Sequence, residues 1–194
     1  MDIKQLEPKE KVITFFGEIK SASVESAVKE IAKINLTDQA YIRQCAQWAA
    51  ENKLSPMPVT LTPIELYLST YGGSCYDGMA LYDVIEGSQT PIEVICTGKI
   101  MSMGIIVALG AKVRKGYRNT TFMIHQVSGI SFGTLREMED TIAEAGRVNA
   151  MLFRIIRSKT KVTKERLDEV LQQKKDWFLT ADEALELGIL TEII

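Results

Sequence analysis

Ser102, His125 and Asp176 are the residues of this 194-residue chain whose types could do chemistry together. A serine hydroxyl is hardly ionised at neutral pH and needs a base to become a nucleophile. An imidazole, with an ordinary pKa of about 6.5, can take that proton and return it to a leaving amine. A carboxylate would fix the imidazole tautomer and stabilise the imidazolium. The order along the chain is Ser, His, Asp. It differs from the order in α/β-hydrolases and in chymotrypsin-like and subtilisin-like enzymes, and no Gly-x-Ser-x-Gly elbow surrounds Ser102. Each residue alone has a plainer reading. Ser102 could be the N-cap of a core helix. His125, the only histidine, could be a satisfied polar residue at a strand end.

The elements that must position these residues are legible around them. The apolar run Val94-Ile95-Cys96 reads as a buried strand within Ile92 to Thr97. It enters Gly98-Lys99-Ile100-Met101-Ser102-Met103-Gly104, and Ile105 to Leu109 then reads as a buried helix ended by Gly110. Ser102 therefore stands at a strand-to-helix turn. The free N–H groups of a helix start can stabilise an oxyanion there. Lys99 is the one bulky polar neighbour and reads as solvated. Upstream, Ile64 to Leu68 reads as a strand running into the Gly72-Gly73 turn and an amphipathic helix with Met79, Leu81, Tyr82 and Ile85. The glycine pair would let a backbone approach a ligand closely. As a phosphate cradle it fails, with neither Gly-x-Gly-x-x-Gly nor a Gly-Lys-Ser/Thr ending.

The rest of the chain repeats this strand–turn–helix alternation. Val12 to Phe16 is the first strand. Two helices are expected after it, one with Val24, Ala27, Val28 and Ile31, and a second starting at Thr37 or Asp38 with Tyr41, Cys45, Trp48 and Ala49 on one face. Pro56, Pro58 and Pro63 mark a loop. Lys112 to Tyr117 and Thr121 to Gln126 are short strands, the second carrying His125. After the excursion Gly129 to Gly133 comes a long helix. Its stripe is Leu135, Met138, Ile142, Ala145, Val148, Leu152 and Ile155, with Met151, Phe153 and Ile156 off it, so it is expected to pack against something beyond its own domain. Thr163 caps a further helix. Lys174 to Leu179 is extended, Thr180-Ala181-Asp182-Glu183 is a capping box, and Ile189 to Ile194 closes the chain as a strand. The alternation predicts one α/β domain with a largely parallel sheet.

Composition narrows the function classes. Hydrophobic residues make up 46% and charged residues 25%, with a net charge of −2. That balance gives no electrostatic footprint for nucleic acid and no polybasic membrane patch. Cys45, Cys75 and Cys96 are odd in number and far apart, so neither a disulfide framework nor a zinc site is expected. Cys96 reads as a small buried hydrophobe. A single histidine excludes a multi-His metal site, and no cofactor is expected. No membrane span and no signal peptide are legible, which makes the cytoplasm the expected location.

Several stretches together resemble the ClpP-type caseinolytic serine peptidases of the ClpP/crotonase superfamily. They are Gly72-Gly73-Ser74 with Gly78-Met79-Ala80-Leu81-Tyr82-Asp83; Gly98 and Ser102-Met103-Gly104; Met123-Ile124-His125-Gln126; Asp176 before Trp177-Phe178-Leu179; and Ala181 to Gly188. The resemblance runs in register from about Val12 to the C-terminus. It implies an α/β superhelix of repeated strand–helix units with a protruding strand-plus-long-helix handle over about 127–157. It implies Ser102 as nucleophile, His125 as base, Asp176 as third member, and the backbone N–H groups of Gly73 and Met103 as oxyanion hole. It further implies a serine endopeptidase acting on peptides or unfolded protein inside a chamber of two stacked heptameric rings, with an AAA+ unfoldase as partner.

The sequence departs from the family pattern in four places. Tyr71 stands where proline usually precedes the glycine pair. Val127 stands where proline usually follows His-Gln. The segment over about 35–63 is lengthened, and the arm over 1–11 is shorter than the family's axial loop segment. Tyr67 matches one aromatic position of the family's partner-docking pocket, while Glu65 stands where a second is usual. A carboxylate is costly to bury under an apolar docking loop. The expectation is therefore hydrolysis of short peptides without any ATPase, and weak or no stimulation by an unfoldase. Two rivals remain open: a catalytically inactive ClpP-like scaffold subunit, and a crotonase-type acyl-CoA enzyme.

Overall fold

A computed structural model describes residues 11–55, 58–129, 132–173 and 176–194. In chain order the elements are β1 (Val12–Phe16), α1 (Ser21–Glu51), β2 (Ile64–Thr70), α2 (Cys75–Glu86), β3 (Ile92–Met101), α3 (Met103–Leu109) and β4 (Val113–Gly116). They continue with β5 (Thr121–Ile124), α4 (Leu135–Lys159), α5 (Lys164–Gln173), β6 (Trp177–Leu179), α6 (Ala181–Glu186) and β7 (Glu192–Ile193). Parallel pairing sets the order β1-β2-β3-β4-β7. A branch leaves β3, which also pairs in parallel with β5, and β5 pairs antiparallel with β6. The expected α/β architecture with a largely parallel sheet is what the chain adopts.

The branch exists because β3 changes partner part-way along. Its first half, from Glu93 to Cys96, pairs with β4. Its last residues, Lys99 to Met101, pair with β5. Between the pairs Leu68↔Cys96 and Thr70↔Ile100, β3 uses two more residues than β2. Gly98 takes up the excess at φ 65°, a left-handed conformation that suits glycine. The sequence pattern predicts a strand that ends at Thr97 and a turn that starts at Gly98. The glycine is instead a bulge inside a ten-residue strand.

Burial explains why the sheet is covered as it is. Leu66, Leu68, Val94 and Ile100 are fully buried. All seven residues of α3 are buried, as expected of a helix that is apolar all round. Arg114 closes the C-terminal end of the fold. Its guanidinium is 7% exposed and donates to the carbonyls of Ala111, Gly188 and Ile189.

Two helical expectations need correction. The region expected to hold two helices forms the single 31-residue α1, which is roughly 46 Å long at about 1.5 Å per residue. Thr37 and Asp38 do not start a helix, because their side chains are engaged elsewhere. Thr37 Oγ1 donates back to the Lys33 carbonyl. Asp38 turns into the core, where Oδ2 accepts from Lys11 Nζ at 2.9 Å and from Thr90 Oγ1 at 2.6 Å. One turn earlier, Asn35 Oδ1 accepts the Thr90 N–H at 2.9 Å. This polar face clamps α1 to the turn before β3.

In α4, Val148, Leu152, Phe153 and Ile156 are the buried residues. Phe153 and Ile156 belong to the domain core, not to an extra face, because the C-terminal half of α4 seats against α3. Leu135 and Ile142 stay 71% and 69% exposed. The apolar surface free for another partner is therefore confined to the N-terminal half. Within the excursion before α4, Ile130 and Ser131 lie outside the described residues, as do 1–10 of the N-terminal arm and Lys174 and Lys175. No helix among the described residues is long and apolar enough to cross a membrane.

The Lys11–Asp38 pair is buried to 1% and 2% side-chain exposure, and Asp38 Oδ1 has no partner. Removing the cation alone would strand a carboxylate, which costs about 3–5 kcal/mol. Lys11→Met is expected to lower stability by about that amount in chemical denaturation. The double variant Lys11→Met/Asp38→Leu is expected to recover much of it, because an apolar pair of similar volume needs no compensation.

Candidate active site

Three strand ends bring Ser102, His125 and Asp176 together. Ser102 follows β3, and its N–H donates to the Met123 carbonyl of β5 at 2.8 Å, one step beyond the pair Met101↔Met123. His125 follows β5. The antiparallel pairs Phe122↔Leu179, Met123↔Phe178 and Ile124↔Trp177 continue by one residue to set His125 opposite Asp176, which precedes β6. Register alone thus delivers all three positions to one end of the sheet.

The side chains complete the arrangement. Ser102 Oγ lies 2.7 Å from His125 Nε2, a hydrogen bond. Asp176 Oδ1 lies 3.6 Å from His125 Nδ1, within ion-pair range but longer than a hydrogen bond. Asp176 is half exposed, and His125 is mostly buried. Ser102 is the residue ahead of α3, yet its side chain makes no capping bond, so its hydroxyl is left to His125. The plain N-cap reading fails because Ser102 has φ 53° and ψ −124°. That backbone turns the hydroxyl away from the helix start. Strain of this kind clusters at functional sites.

The Gly72-Gly73 turn lies against the same serine. A Cβ on Gly72, at φ 105°, would fall 2.8 Å from Ser102 Cβ and 3.2 Å from Met103 N. A Cβ on Gly73, at φ 148°, would fall 2.2 Å from the Ile19 carbonyl oxygen. Ile19 N–H donates to the Gly72 carbonyl, and Ser74 N–H donates to the Ile19 carbonyl. This parallel bridge engages the groups on either side of Gly73. The Gly73 N–H takes no part in this bridge. Met103 is the first residue of α3, and its N–H is one of the donors that a helix start leaves without an internal partner.

These groups open into a cleft of about 250 Å³. Ser102 and His125 line it together with Ile106, Leu152, Phe153 and Ile156, which form its apolar wall. The arrangement can transfer a proton from a serine hydroxyl to an imidazole beside a site that accepts an apolar group. The wall residues of α4 escaped the sequence reading, which assigned the helix to packing. Their 3- and 4-residue spacing was the available signal. Lys99 differs from its solvated reading: its ammonium lies 4.4 Å from the centroid of the Tyr71 ring at the cleft edge. Cys75 also lines the cleft, where burial pushes its thiol up and away from thiolate reactivity. Burial pushes the Cys96 thiol up to about 12, in keeping with its reading as a small hydrophobe.

Glu65 and Tyr67 do not join this site. They sit on the outward side of β2, where the Tyr67 hydroxyl donates to Glu65 Oε2 at 3.4 Å. The charge of Glu65 is the largest cause raising the Tyr67 phenol. Glu65 pairs in register with Glu93, whose carboxylate binds Lys115 Nζ at 2.6 Å. The surface around Tyr67 is thus a charged row.

Comparison with known proteins identifies the family and the fold. The family model for Clp protease matches residues 17–194. The ATP-dependent Clp protease proteolytic subunit 2 of Treponema pallidum is 35% identical over 135 residues, covering 68% of this chain and 66% of that protein. The ATP-dependent Clp protease proteolytic subunit of Deinococcus radiodurans is 30% identical over 135 residues, covering 68% of this chain and 64% of that protein. The matched stretch thus spans just under two thirds of each relative. A mutant ClpP1 from Listeria monocytogenes has the same fold, with a TM-score of 0.75 at 24% identity over 95% of this chain and 91% of that one. With the family model matched across nearly its whole length, this chain belongs to the Clp protease family.

Proposed function

We propose that this chain is a serine endopeptidase that hydrolyses peptide bonds of short or unfolded polypeptides. The observation that carries the reading is the 2.7 Å hydrogen bond between Ser102 Oγ and His125 Nε2 at a strained, glycine-flanked turn. Ser102 attacks the scissile carbonyl while His125 takes its proton. The oxyanion is held by the N–H groups of Gly73 and Met103. His125 then protonates the leaving amine, and water completes the reaction by the same route. Asp176 orients the imidazole, and its contact shortens as substrate excludes water from the pair. The apolar wall of Leu152, Phe153 and Ile156 takes an apolar side chain next to the scissile bond. The Ser102–His125 contact favours this reading over an inactive scaffold and over an acyl-CoA enzyme, neither of which needs an activated serine.

The triad is tested by peptide hydrolysis. Ser102→Ala and His125→Ala are each expected to lower kcat by orders of magnitude, since such residues act as a unit. Asp176→Asn is expected to cost less, because this carboxylate is half exposed and 3.6 Å from its partner. Full activity in Ser102→Ala would remove the assignment.

The same reading places the chain in a ring, and in two stacked rings where handles pair. The exposed Leu135 and Ile142 on the first half of α4 carry this part. Leu135→Glu with Ile142→Glu is expected to halve the assembly in light scattering and to weaken hydrolysis. A native protein that is monomeric at micromolar concentration would contradict it.

Docking of an AAA+ unfoldase is expected to be weak or absent. The row of Glu65, Glu93 and Lys115 beside Tyr67 is a poor bed for an apolar loop, because burying those charges is costly. Short peptides are expected to be cleaved with no nucleotide present. A stably folded, tagged substrate with unfoldase and ATP is expected to survive, and its processive degradation would refute this point.

A further inference from the structure

The face of α4 that lines the cleft is not wholly apolar. Asn149 stands one turn before Leu152 and Phe153, so it shares their face. An amide among apolar neighbours is unfavourable unless bonded. Its partner is not on the helix. Asn149 Oδ1 accepts the Val127 N–H at 3.0 Å in a half-buried contact. Val127 belongs to the segment that follows His125, and Gln126, Val127 and Ser128 form one lip of the cleft. Leu152, Phe153 and Ile156 form its apolar wall.

One hydrogen bond therefore joins the lip to the wall. His125 does not depend on it. That residue is fixed by β5, whose Met123 carbonyl takes the Ser102 N–H and whose Ile124 pairs with Trp177. The segment beyond His125 has left the ladder; the part-buried Val127 side chain packs against the core, and the Asn149 bond fixes its backbone to α4. The bond also needs a residue with an N–H at 127. A proline there, the residue of the family pattern, would have none.

The geometry points to Asn149 as a positioning residue for peptide substrates. It holds the lip at residues 126–128 at a fixed distance from the apolar wall, so that a bound peptide meets a preformed cleft. The inference rests on the peptidase reading above and deepens it. With the lip released, the peptide must order that segment as it binds, which weakens binding and leaves the proton transfer between Ser102 and His125 as it was.

The test separates binding from chemistry. Steady-state hydrolysis of a blocked fluorogenic peptide gives KM and kcat. The rate at which a small fluorophosphonate labels Ser102 reports the nucleophile alone. Asn149→Leu, close in size but without the acceptor, is expected to raise KM about tenfold, the scale of one lost half-buried hydrogen bond. Its kcat and labelling rate are expected to stay within about twofold of the parent. Asn149→Asp, which keeps an acceptor oxygen, is expected to bring KM back to within about threefold. Val127→Pro removes the donor and is expected to raise KM similarly, and the double variant Asn149→Leu/Val127→Pro is expected to be no worse than either single one. An unchanged KM in Asn149→Leu overturns the inference. So does a parallel fall in kcat and labelling rate that Asn149→Asp does not rescue, since that is the mark of a packing role. Failure of the parent protein to be labelled at all overturns the peptidase reading instead, so the two outcomes are distinct.

Discussion

The backbone of Ser102 is the constraint on which the site depends. A non-glycine residue at φ 53° costs about 1–3 kcal/mol and persists only where its surroundings over-determine it. Three things do so. The Ser102 N–H is held by the Met123 carbonyl. Gly72 lies too close for any side chain of its own. The helix that starts at Met103 is buried along its whole length and cannot shift to relieve the turn. The first of these requires β3 to reach β5, and β3 passes from β4 to β5 across the positive-φ Gly98. A serine with an unstrained backbone would cap its own helix and leave His125 without a partner.

Much of this was legible from residue types. The Gly72-Gly73 pair, the strand-to-helix turn at Ser102 and the capping box at Thr180 all read correctly, because each rests on local chemistry that tertiary packing has no reason to override. Asp38 did not. As a residue type it signals a helix start, and only the distant Lys11 and Thr90 turn it into a buried clamp in mid-helix. Gly98 was misread for a related reason. A glycine signals both a turn and a bulge, and the choice between them depends on whether a second strand lies within reach of Lys99 to Met101. In α4 the stripe at Leu135, Ile142 and Val148 was visible. Which part of it the domain would cover depends on which half of α4 meets α3, a tertiary contact that no local pattern encodes.

The site itself divides along the same line. Ser102, His125 and Asp176 could be named from sequence, but their meeting is a property of register. Pairing of Ile124 with Trp177 is what faces His125 with Asp176, and a one-residue slip would turn one side chain to the opposite face. The Tyr71–Lys99 contact and the Asn149–Val127 bond were beyond reach for the same reason. Each joins residues more than twenty positions apart, and nothing in the residue types alone pairs them.

The small size of β6 bears on how the molecule responds to heat. Its three residues pair with β5 alone among the described strands, and Asp176 stands at its open end. The stacking of Arg166 on Trp177 and the buried Leu179 are its other anchors. An edge of this kind opens at far lower free energy than the cooperative core does. Its fraying would withdraw the carboxylate while Ser102 and His125 stay joined through β3 and β5. On the peptidase reading proposed above, warming would pass through a folded form whose imidazole has lost its orienting partner, and turnover in that range would fall below the rise expected for a chemical step and recover on cooling while the core stays intact.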